Sequence, residues 1–480
     1  MKQIVKSTCI ALALVSGLGV AGAQETWSLE RCVTYAQDAN FTVQQARANV
    51  KVAVLTEKQA KADRLPNVSI NSNAGKSFGR TIDPTTNQFI NTGFGYNSLS
   101  LNAGMPIFNG GQIHHNVKQA NFDMQAAFAD AEQTANTLGL QVAQAYLNIL
   151  LTEEQAESAE RRVEQSRRQL EVTQKLIEAG TVPLADQYTI QAQIAREEQA
   201  AVMAQNSVDL AYLSLKQLMQ LEPDYELAIE RPEIMLPADV NPENYSLQPI
   251  YEQALETQPN VKAAEFRIKS AEIGVPLARS AYFPSISIGG SLNTNFSSRA
   301  PDFTNGMFLG TELTPPTTIL VNGSPVTIQQ EVDVYDYPQT PYFTQLDQNF
   351  GQSIGIQLSV PIYQNGRVRL NVERARLGIL NAQLQDNQTR QQLKNDIQTS
   401  IANVRAAYKQ LAAAQKTRDA MQAAFGNTEK RHNLGAVNSL ELTTAKTNLD
   451  NAENDLIVAR YDYLFKLKIL DFYQGKALKL

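Results

Sequence analysis

The sequence predicts a mainly α-helical protein with a small β part, built from one unit that is written twice. Within the helical stretch from Gln112 to about Met219, apolar residues recur at every seventh position between Val142 and Ile177, which is typical of a coiled-coil seam. Two ungapped segments that begin at Ser28 and Ser246 are similar to each other at an offset of 218 residues. Runs in which apolar and small polar residues alternate follow both segments and predict strands. Together these patterns indicate a duplicated unit of short helix, two strands, long helix, turn and short helix.

The N-terminal residues predict export from the cytoplasm. Lys2 and Lys6 precede an apolar run that ends at Ala23, so residues 1–23 read as a secretory signal peptide that is removed near Ala23. Of the two cysteines only Cys32 follows this segment, so we expect no intrachain disulfide in the mature chain. No later apolar run approaches about 18 residues, and no transmembrane helix is predicted. The net charge of −6 argues against a nucleic acid partner.

The domain organisation follows from a second alignment. MPIFNGGQ and VPIYQNGR align at an offset of 255 residues, which also carries Gly180 onto Gly435 and Asp186 onto Glu441. We predict a first repeat over 24–223, an equatorial linker over 221–245 and a second repeat over 246–480. The predicted strands lie at about 67–80, 94–106, 285–298 and 350–361, and the predicted helical hairpins lie at 112–220 and 367–474.

An insertion is expected in the second repeat because the two offsets differ by 37 residues. It falls in the Pro-rich and acidic segment 299–349, which is predicted to be a long extracellular loop. This loop is either a lid over a barrel mouth or an ordinary surface loop.

The strand composition favours a membrane β-barrel. Ile354, Ile356 and Leu358 alternate with small or polar residues, in a run that approaches the about 9 to 11 residues needed to cross a bilayer. The edge of a soluble sandwich would show the same alternation and is the alternative. Four strands cannot close a barrel, since about eight is the practical minimum, so the barrel must be shared between two or three chains. Prolines mark the predicted barrel junctions: Pro66, Pro106, Pro284 and Pro361.

The helix lengths predict where the turns lie. The short helices predicted at 28–64 and 184–220 together match the long helix at 112–179, which would be about 100 Å long. A long helix that turns at GTVPLAD and returns halfway would meet the first short helix end to end. The second repeat has the same proportions, so both turns are expected at one end of the molecule, about 100 Å from the strands.

Several sequence features resemble the TolC family of outer-membrane efflux channels. They are the duplicated unit, the junctions MPIF and VPIY, the turns LIEAGTVPLAD and HNLGAVNSLE, and the closing ARYDYLFKLKILDFYQG. The resemblance covers essentially the whole mature chain. It implies a homotrimer with a twelve-stranded β-barrel in the lipid of a Gram-negative outer membrane, above an α-helical barrel in the periplasm.

The resemblance also implies a function. Such a protein is a passive exit duct of a tripartite efflux system, coupled to an inner-membrane pump directly or through a periplasmic adaptor protein. A duct for type I protein secretion is an alternative. A trimeric coiled-coil structural protein or adhesin is an alternative of another class, which needs neither the duplication nor the turns at one end.

The two glycine turns are the predicted working part. Gly180 and Gly435 suit left-handed helix caps, and the resemblance implies that acids matching Asp186 and Glu441 help to hold the periplasmic entrance closed. The predicted gate and adaptor-contact residues are Gly180, Thr181, Val182, Asp186, His432, Gly435, Ala436, Val437 and Glu441. The simpler alternative is that the two acids only complement the dipole of the following helix.

Three positions depart from the pattern of some relatives. His432 and Val437 stand where these relatives carry a tyrosine and an arginine, and Thr444 stands where some carry an aspartate. Any latch in this chain must therefore use other partners. His432 predicts an opening that is sensitive to pH, and the alternative is a packed or solvated histidine.

The sequence predicts neither a cofactor nor an enzyme. Its three histidines and the single mature cysteine form no coherent catalytic set. His114 and His115 are adjacent and would point about 100° apart on a helix, so no metal site is expected there.

Overall fold

The fold is described by a computed structural model over residues 26–82, 87, 89–91, 93–232, 242–321 and 323–476. The predicted signal peptide and residues 233–241 of the predicted linker lie outside these residues. The helices in chain order are α1 Leu29–Ala39, α2 Phe41–Ala62, α3 Gln112–Glu178, α4 Leu184–Met219, α5 Leu247–Thr257, α6 Pro259–Ser280, α7 Tyr342–Gln348, α8 Arg367–Asn433 and α9 Ser439–Tyr473. The strands are β1 Asn67–Ser77, β2 Thr81–Ile82, β3 Phe89–Ile90, β4 Phe94–Asn109, β5 Ser285–Ser297, β6 Met307–Leu313, β7 Thr317–Val321, β8 Ser324–Ile328, β9 Glu331–Asp336 and β10 Gly351–Ser359. The predicted mainly α-helical fold with a small β part is confirmed.

The described residues divide into two compact units. Val52–Met124 and Phe266–Leu384 form one unit, and the other described residues form the second. The first unit contains the strands and is called the strand unit. The second contains both helix turns and is called the turn unit. None of the helices in the described part of the chain has the length and apolar character of a membrane span.

The strand unit is built on a four-stranded antiparallel sheet in the order β1-β4-β5-β10. In the sheet register, Ile70 pairs with Leu101, and Leu101 pairs with Leu292. These aliphatic residues form a row across three strands because alternate side chains share one face. The edge strand β10 exposes Ile354 and Ile356 by 81% and 74%. The edge strand of the sheet therefore exposes aliphatic side chains on the surface of the chain.

The strand β4 extends beyond its predicted end. The prediction places Pro106 at the junction after the strand, but β4 continues to Asn109. The register between β4 and β5 shifts between Pro106 and Phe108. Such an irregularity accommodates a residue that has no N–H to donate. The other predicted junction prolines lie beside strand ends: Pro66 and Pro284 precede β1 and β5, and Pro361 follows β10.

The segment predicted as a loop contains ordered secondary structure. Strands β6 and β9 pair, as do β7 and β8, so the segment forms antiparallel ribbons. Helix α7 follows and is fixed by the buried Gln345. Its side-chain oxygen accepts the N–H of Ser297 at 2.9 Å, and its amide group donates to the carbonyls of Ser297 and Thr340 at 2.9 and 2.8 Å. The prolines favour a loop in the sequence, but the run TTILV is rich in β-branched residues, which is typical of a strand.

The first short helix of each repeat is interrupted. The sequence predicts one helix over 28–64, but the structure has α1 and α2 with a break at the buried Asn40. The Asn40 amide donates to the carbonyl of Leu218 at 2.9 Å, and its side-chain oxygen accepts the N–H of Thr42 at 2.9 Å. At the matched break, buried Gln258 precedes Pro259, which starts α6 without an N–H. A tertiary contact in one repeat and a proline in the other explain the interruptions.

Two hydrophobic clusters hold the turn unit together. The first packs Trp27, Tyr146 and Leu215 with Leu464 of α9, and the second packs Ile397 with residues of α9 that include Leu467 and Leu470. Burying one such aliphatic or aromatic side chain contributes roughly 1.5–3 kcal/mol. Helix α9 belongs to both clusters and joins them.

The described part of the predicted linker contributes to the first cluster. Trp27 forms an isolated parallel bridge with Ile229, and the N–H of Trp27 donates to the carbonyl of Ala228 at 2.8 Å. The buried Tyr146 hydroxyl lies 2.6 Å from the carbonyl oxygen of Glu230. This segment is therefore fixed to the helices rather than only spanning between repeats.

Candidate functional site

Both long helices end in the same hydrogen-bond pattern. After α3, Gly180 has a φ of 74° and donates its N–H to the carbonyl of Ile177 at 2.9 Å. The N–H of Thr181 donates to the carbonyl of Leu176 at 2.9 Å, and the Thr181 hydroxyl donates to the same oxygen at 2.8 Å. This is the Schellman arrangement, which glycine favours because the capping residue adopts a left-handed backbone conformation.

The second turn repeats this arrangement at the matched positions. Gly435 has a φ of 71° and donates to the carbonyl of His432 at 2.9 Å, while Ala436 donates to the carbonyl of Arg431 at 2.8 Å. A Cβ atom at Gly435 would meet no described atom within 4 Å. The backbone conformation, rather than a lack of space, therefore requires glycine.

The helices that follow the turns begin differently. Pro183 occupies the N-cap of α4 and makes no side-chain capping bond. Asn438 occupies the N-cap of α9, and its side-chain oxygen accepts the N–H of Glu441 at 2.9 Å. Asp186 and Glu441 both lie in a first helical turn, where a negative charge complements the helix dipole. Both acids therefore lie where a negative charge would complement the dipole of the following helix.

A polar chain of three side chains connects the two turns. The Ser439 hydroxyl donates to Asp186 Oδ2 at 2.7 Å, and His432 Nε2 lies 3.3 Å from Ser439 Oγ. Because the serine proton is directed at Asp186, the contact from His432 requires a proton on Nε2. His432 and Ser439 are only 6% and 3% exposed. We call His432, Ser439 and Asp186 the turn bridge.

The two duplicated acids have different environments. Asp186 belongs to the turn bridge, whereas Glu441 pairs with Arg431 at 3.4 Å on the surface. The Arg431 and Glu441 side chains are 57% and 52% exposed, and a pair of this kind contributes at most about 1 kcal/mol. The matched sequence positions therefore do not predict matched interactions.

The other predicted residues lie at the surface of the turns. Thr181, Gly435 and Ala436 are exposed, and Val182 and Val437 are half-buried at matched positions. Sequence reasoning did not single out the exposed aliphatic residues beside them: Leu184, Leu434 and Leu440 are 55%, 84% and 67% exposed. The turns therefore present an aliphatic surface.

A second polar group lies further along α9. Lys446 Nζ is 3.2 Å from Glu197 Oε1, and Lys446 also bonds to Ser166 Oγ. Asp450 follows one turn later and is 7% exposed. Burial raises the pKa of the Asp450 carboxyl to about 6, with the charges of Lys446 and Arg162 opposing that rise. We call Glu197, Lys446 and Asp450 the α9 charge cluster.

Sequence reasoning missed this cluster although the seam contains a signal for it. In α9 the leucine positions Leu442 and Leu449 alternate with a second seam position that holds Lys446 and Glu453. A charged residue at a coiled-coil core position indicates a polar interaction that fixes the register. The partner Glu197 lies on another helix, so it could not be identified from spacing.

The described residues contain no group of three or more His, Cys, Asp or Glu side chains that could hold a metal ion. The rings of His114 and His115 are in edge contact, with their centroids 5.6 Å apart. Burial, reinforced by the charge of His114, lowers the pKa of His115. A third ligand does not join this pair in the described structure.

Comparison with known proteins gives matches along most of the chain. A family model described as outer membrane efflux protein matches residues 33–219 and 250–475. The outer membrane protein TolC of Escherichia coli (strain K12) is 26% identical over 342 residues, which are 68% of this chain and 59% of that protein. The chain therefore matches less than two thirds of that relative's length.

Two further matches are more extensive. The alkaline protease secretion protein AprF of Pseudomonas aeruginosa is 22% identical over 426 residues, covering 86% of this chain and 77% of that protein. The Campylobacter jejuni CmeC outer membrane channel has a similar fold, with a TM-score of 0.71 at 15% identity over 98% of this chain and 93% of that chain. The fold is thus similar to that of an outer membrane channel.

Proposed function

Because the chain belongs to the outer membrane efflux protein family, we propose that it is the passive outer-membrane exit duct of a tripartite efflux system. Small molecules would enter from an inner-membrane pump, directly or through a periplasmic adaptor protein, and leave to the exterior. The pump would supply the energy. The family is described as outer membrane efflux protein, which supports a channel rather than an enzyme.

The sheet with two open edges carries this proposal. Within the described residues, β1 and β10 each pair on one side only. Unpaired backbone groups cost several kcal/mol each in lipid, so the edges must be joined to other strands in a membrane. Three copies supply twelve strands and close a barrel of practical size, which supports a homotrimer. Ile354 and Ile356 would then contact lipid.

The turn bridge supports a gate at the periplasmic entrance. It connects the turn after α3 with the turn after α8 through a 2.7 Å hydrogen bond from Ser439 to Asp186. Breaking this bond leaves a partly buried carboxylate without its donor, which opposes separation of the turns. The exposed Leu184, Leu434 and Leu440 supply a surface on which an adaptor would dock.

Purified protein in planar lipid bilayers tests the duct. We expect a trimer by native mass spectrometry and a stable pore with a small closed-state conductance. A monomeric protein that forms no pore would reject the proposal.

Variants of the turn residues test the gate. Asp186→Ala is expected to raise the closed-state conductance, and Glu441→Ala is expected to change it little because its ion pair is exposed. If the variant that combines Asp186→Ala with Glu441→Ala has the closed-state conductance of the wild type, the proposed gate is rejected.

A duct for type I protein secretion is the second candidate. It is supported by the match to the secretion protein AprF over 86% of the chain. Crosslinking in cells distinguishes the two candidates, because the adaptor and pump recovered with the protein differ between drug efflux and protein secretion. Recovery of no adaptor would count against both.

A further inference from the structure

We propose that the α9 charge cluster is a second lock, about two helical turns beyond the turn bridge, that holds α9 against α3 and α4 while the entrance is closed. This inference rests on the proposed function, because it concerns the opening of the duct. It adds Lys446, Glu197 and Asp450 to the residues that control opening, and it gives that control a dependence on pH.

A single ammonium group holds three helices together. Lys446 Nζ on α9 contacts Glu197 Oε1 on α4 at 3.2 Å, Ser166 Oγ on α3, and the carbonyl of Arg162 on α3 at 3.5 Å. The side chains of Lys446 and Glu197 are only 15% and 8% exposed. Removing one partner from a buried pair leaves an uncompensated buried charge, so loss of Lys446 is expected to favour separation of the helices.

The charges around Asp450 are not balanced. The groups that face it are Lys446 and Glu453 on α9, Arg162 on α3 and Glu197 on α4. Glu197 Oε2 has no hydrogen-bond partner among the described residues. Two buried carboxylates therefore share Lys446, and ionisation of Asp450 adds a charge that burial disfavours. The packed state is favoured when Asp450 is protonated, so the lock becomes tighter as the periplasm acidifies.

The surroundings allow water to reach the cluster when the helices separate. One cavity of about 670 Å³ borders Lys446 and Asp450, and another of about 510 Å³ borders Glu197 and Asp450. When the helices separate, the charges of the cluster would be hydrated by water from these cavities, which lowers the free-energy cost of opening. Apolar side chains at the same place would gain no favourable hydration on opening.

Bilayer conductance of the full-length protein between pH 5 and pH 8 tests the lock. In the wild type we expect the open probability to rise between pH 5 and pH 7. Lys446→Met is expected to raise it about tenfold at pH 7, corresponding to ~1.4 kcal/mol. Asp450→Asn is expected to act in the opposite direction, holding the open probability at the wild-type acid value across the range. Lys416→Met, at an exposed position of α8, is the charge-matched control.

A second variant addresses folding. Glu197→Gln combined with Lys446→Met removes both charges of the pair, and it is expected to remain trimeric and to leak less than Lys446→Met. If Lys446→Met does not assemble, the double variant and Asp450→Asn decide the question. Equal open probabilities in Lys446→Met and Lys416→Met, or an unchanged pH profile in Asp450→Asn, would overturn the lock.

Hydrogen exchange of α9 amides in detergent gives a readout that does not depend on conductance. At pH 7 we expect faster exchange around residues 442–450 in Lys446→Met and slower exchange in Asp450→Asn. A wild-type protein that forms no pore rejects the duct alone, whereas unchanged exchange in both variants rejects the lock.

Discussion

The two halves of helix α9 bury different kinds of surface. Near the turn, the helix buries Ser439 and Asp450 beside the apolar Leu442 and Ala452, and it nearly buries Lys446. Near its C-terminus it buries Leu464 and Leu470 in the two hydrophobic clusters of the turn unit. We call the half near the turn, which buries a serine and an aspartate among apolar side chains, the polar half, and we call the other half the apolar half.

We expect the apolar half of α9 to contribute mainly to stability and the polar half to control movement near the turns. Apolar packing is non-directional and has no titrating group, so the second half should stay packed over a wide range of pH. The polar half depends on hydrogen-bond partners from α3 and α4, and one of its groups titrates at about pH 6. A helix anchored at one end and conditionally held at the other suits a part that moves near the turns. The following predictions test this contrast, from the largest expected effect to the smallest.

Leu470→Ala tests the apolar half. Leu470 is fully buried, and its truncation is expected to lower the free energy of unfolding by about 2–5 kcal/mol because a cavity remains. Denaturant unfolding in detergent measures the effect. Leu440→Ala, in the same helix and 67% exposed, is the control and should cost far less. Similar losses in the two variants would contradict the assigned core.

Asp450→Asn tests the polar half by its pH dependence. The pKa of Asp450 is raised from an ordinary 3.8 to about 6, so the folded state binds this proton more tightly than the unfolded state. The resulting stability is fully present below about pH 4 and is lost as the pH rises to about 6, a change of ~3 kcal/mol.

We expect Asp450→Asn to remove this decline in unfolding free energy. The exposed Asp455→Asn serves as the control on the same helix. A decline that persists in Asp450→Asn would assign the pH dependence to another group.

Gly435→Ala tests whether the turn fixes the start of the polar half. The left-handed φ of 71° is expected to cost an alanine about 1–2 kcal/mol. Gly426→Ala, inside α8 with no described atom within 4 Å of its added Cβ, should instead stabilise by about 1 kcal/mol. Thermal unfolding of the pair should therefore give shifts of opposite sign, and shifts of the same sign would exclude the capping explanation.

Asn438→Ala examines the cap at the beginning of α9. Loss of the bond to the Glu441 N–H should lower stability by about 1 kcal/mol. The matched Pro183 makes no side-chain cap, so Pro183→Ala should lose no capping energy. Equal losses of unfolding free energy in the two variants would contradict the proposed difference between the two N-caps.

Local sequence patterns were sufficient where local chemistry decides the structure. Glycine and period-seven spacing placed the ends of α3 and α8 correctly, because a left-handed cap and a seam depend on neighbouring residues. The break at Asn40 was not predictable in this way, since its amide bonds to Leu218, 178 residues away. The repeat boundaries and the roles of the turn residues stay predictions.

The polar contacts show the same limit at the candidate site. Asp186 was identified as a gate candidate from its spacing, but its partner Ser439 lies 253 residues away and was missed. Glu197 and Lys446 are likewise separated by 249 residues. Polar pairs of this kind depend on which helices become neighbours, and one sequence gives the residue types without giving those neighbours.

The unequal caps at Pro183 and Asn438 have a consequence for assembly. Three copies would place six turns around one mouth, but the turns would be of two chemical kinds in alternation. The ring would then have true threefold symmetry and only approximate sixfold symmetry. Under the proposed function, an adaptor that docks on these turns would meet two classes of binding position with unequal affinities.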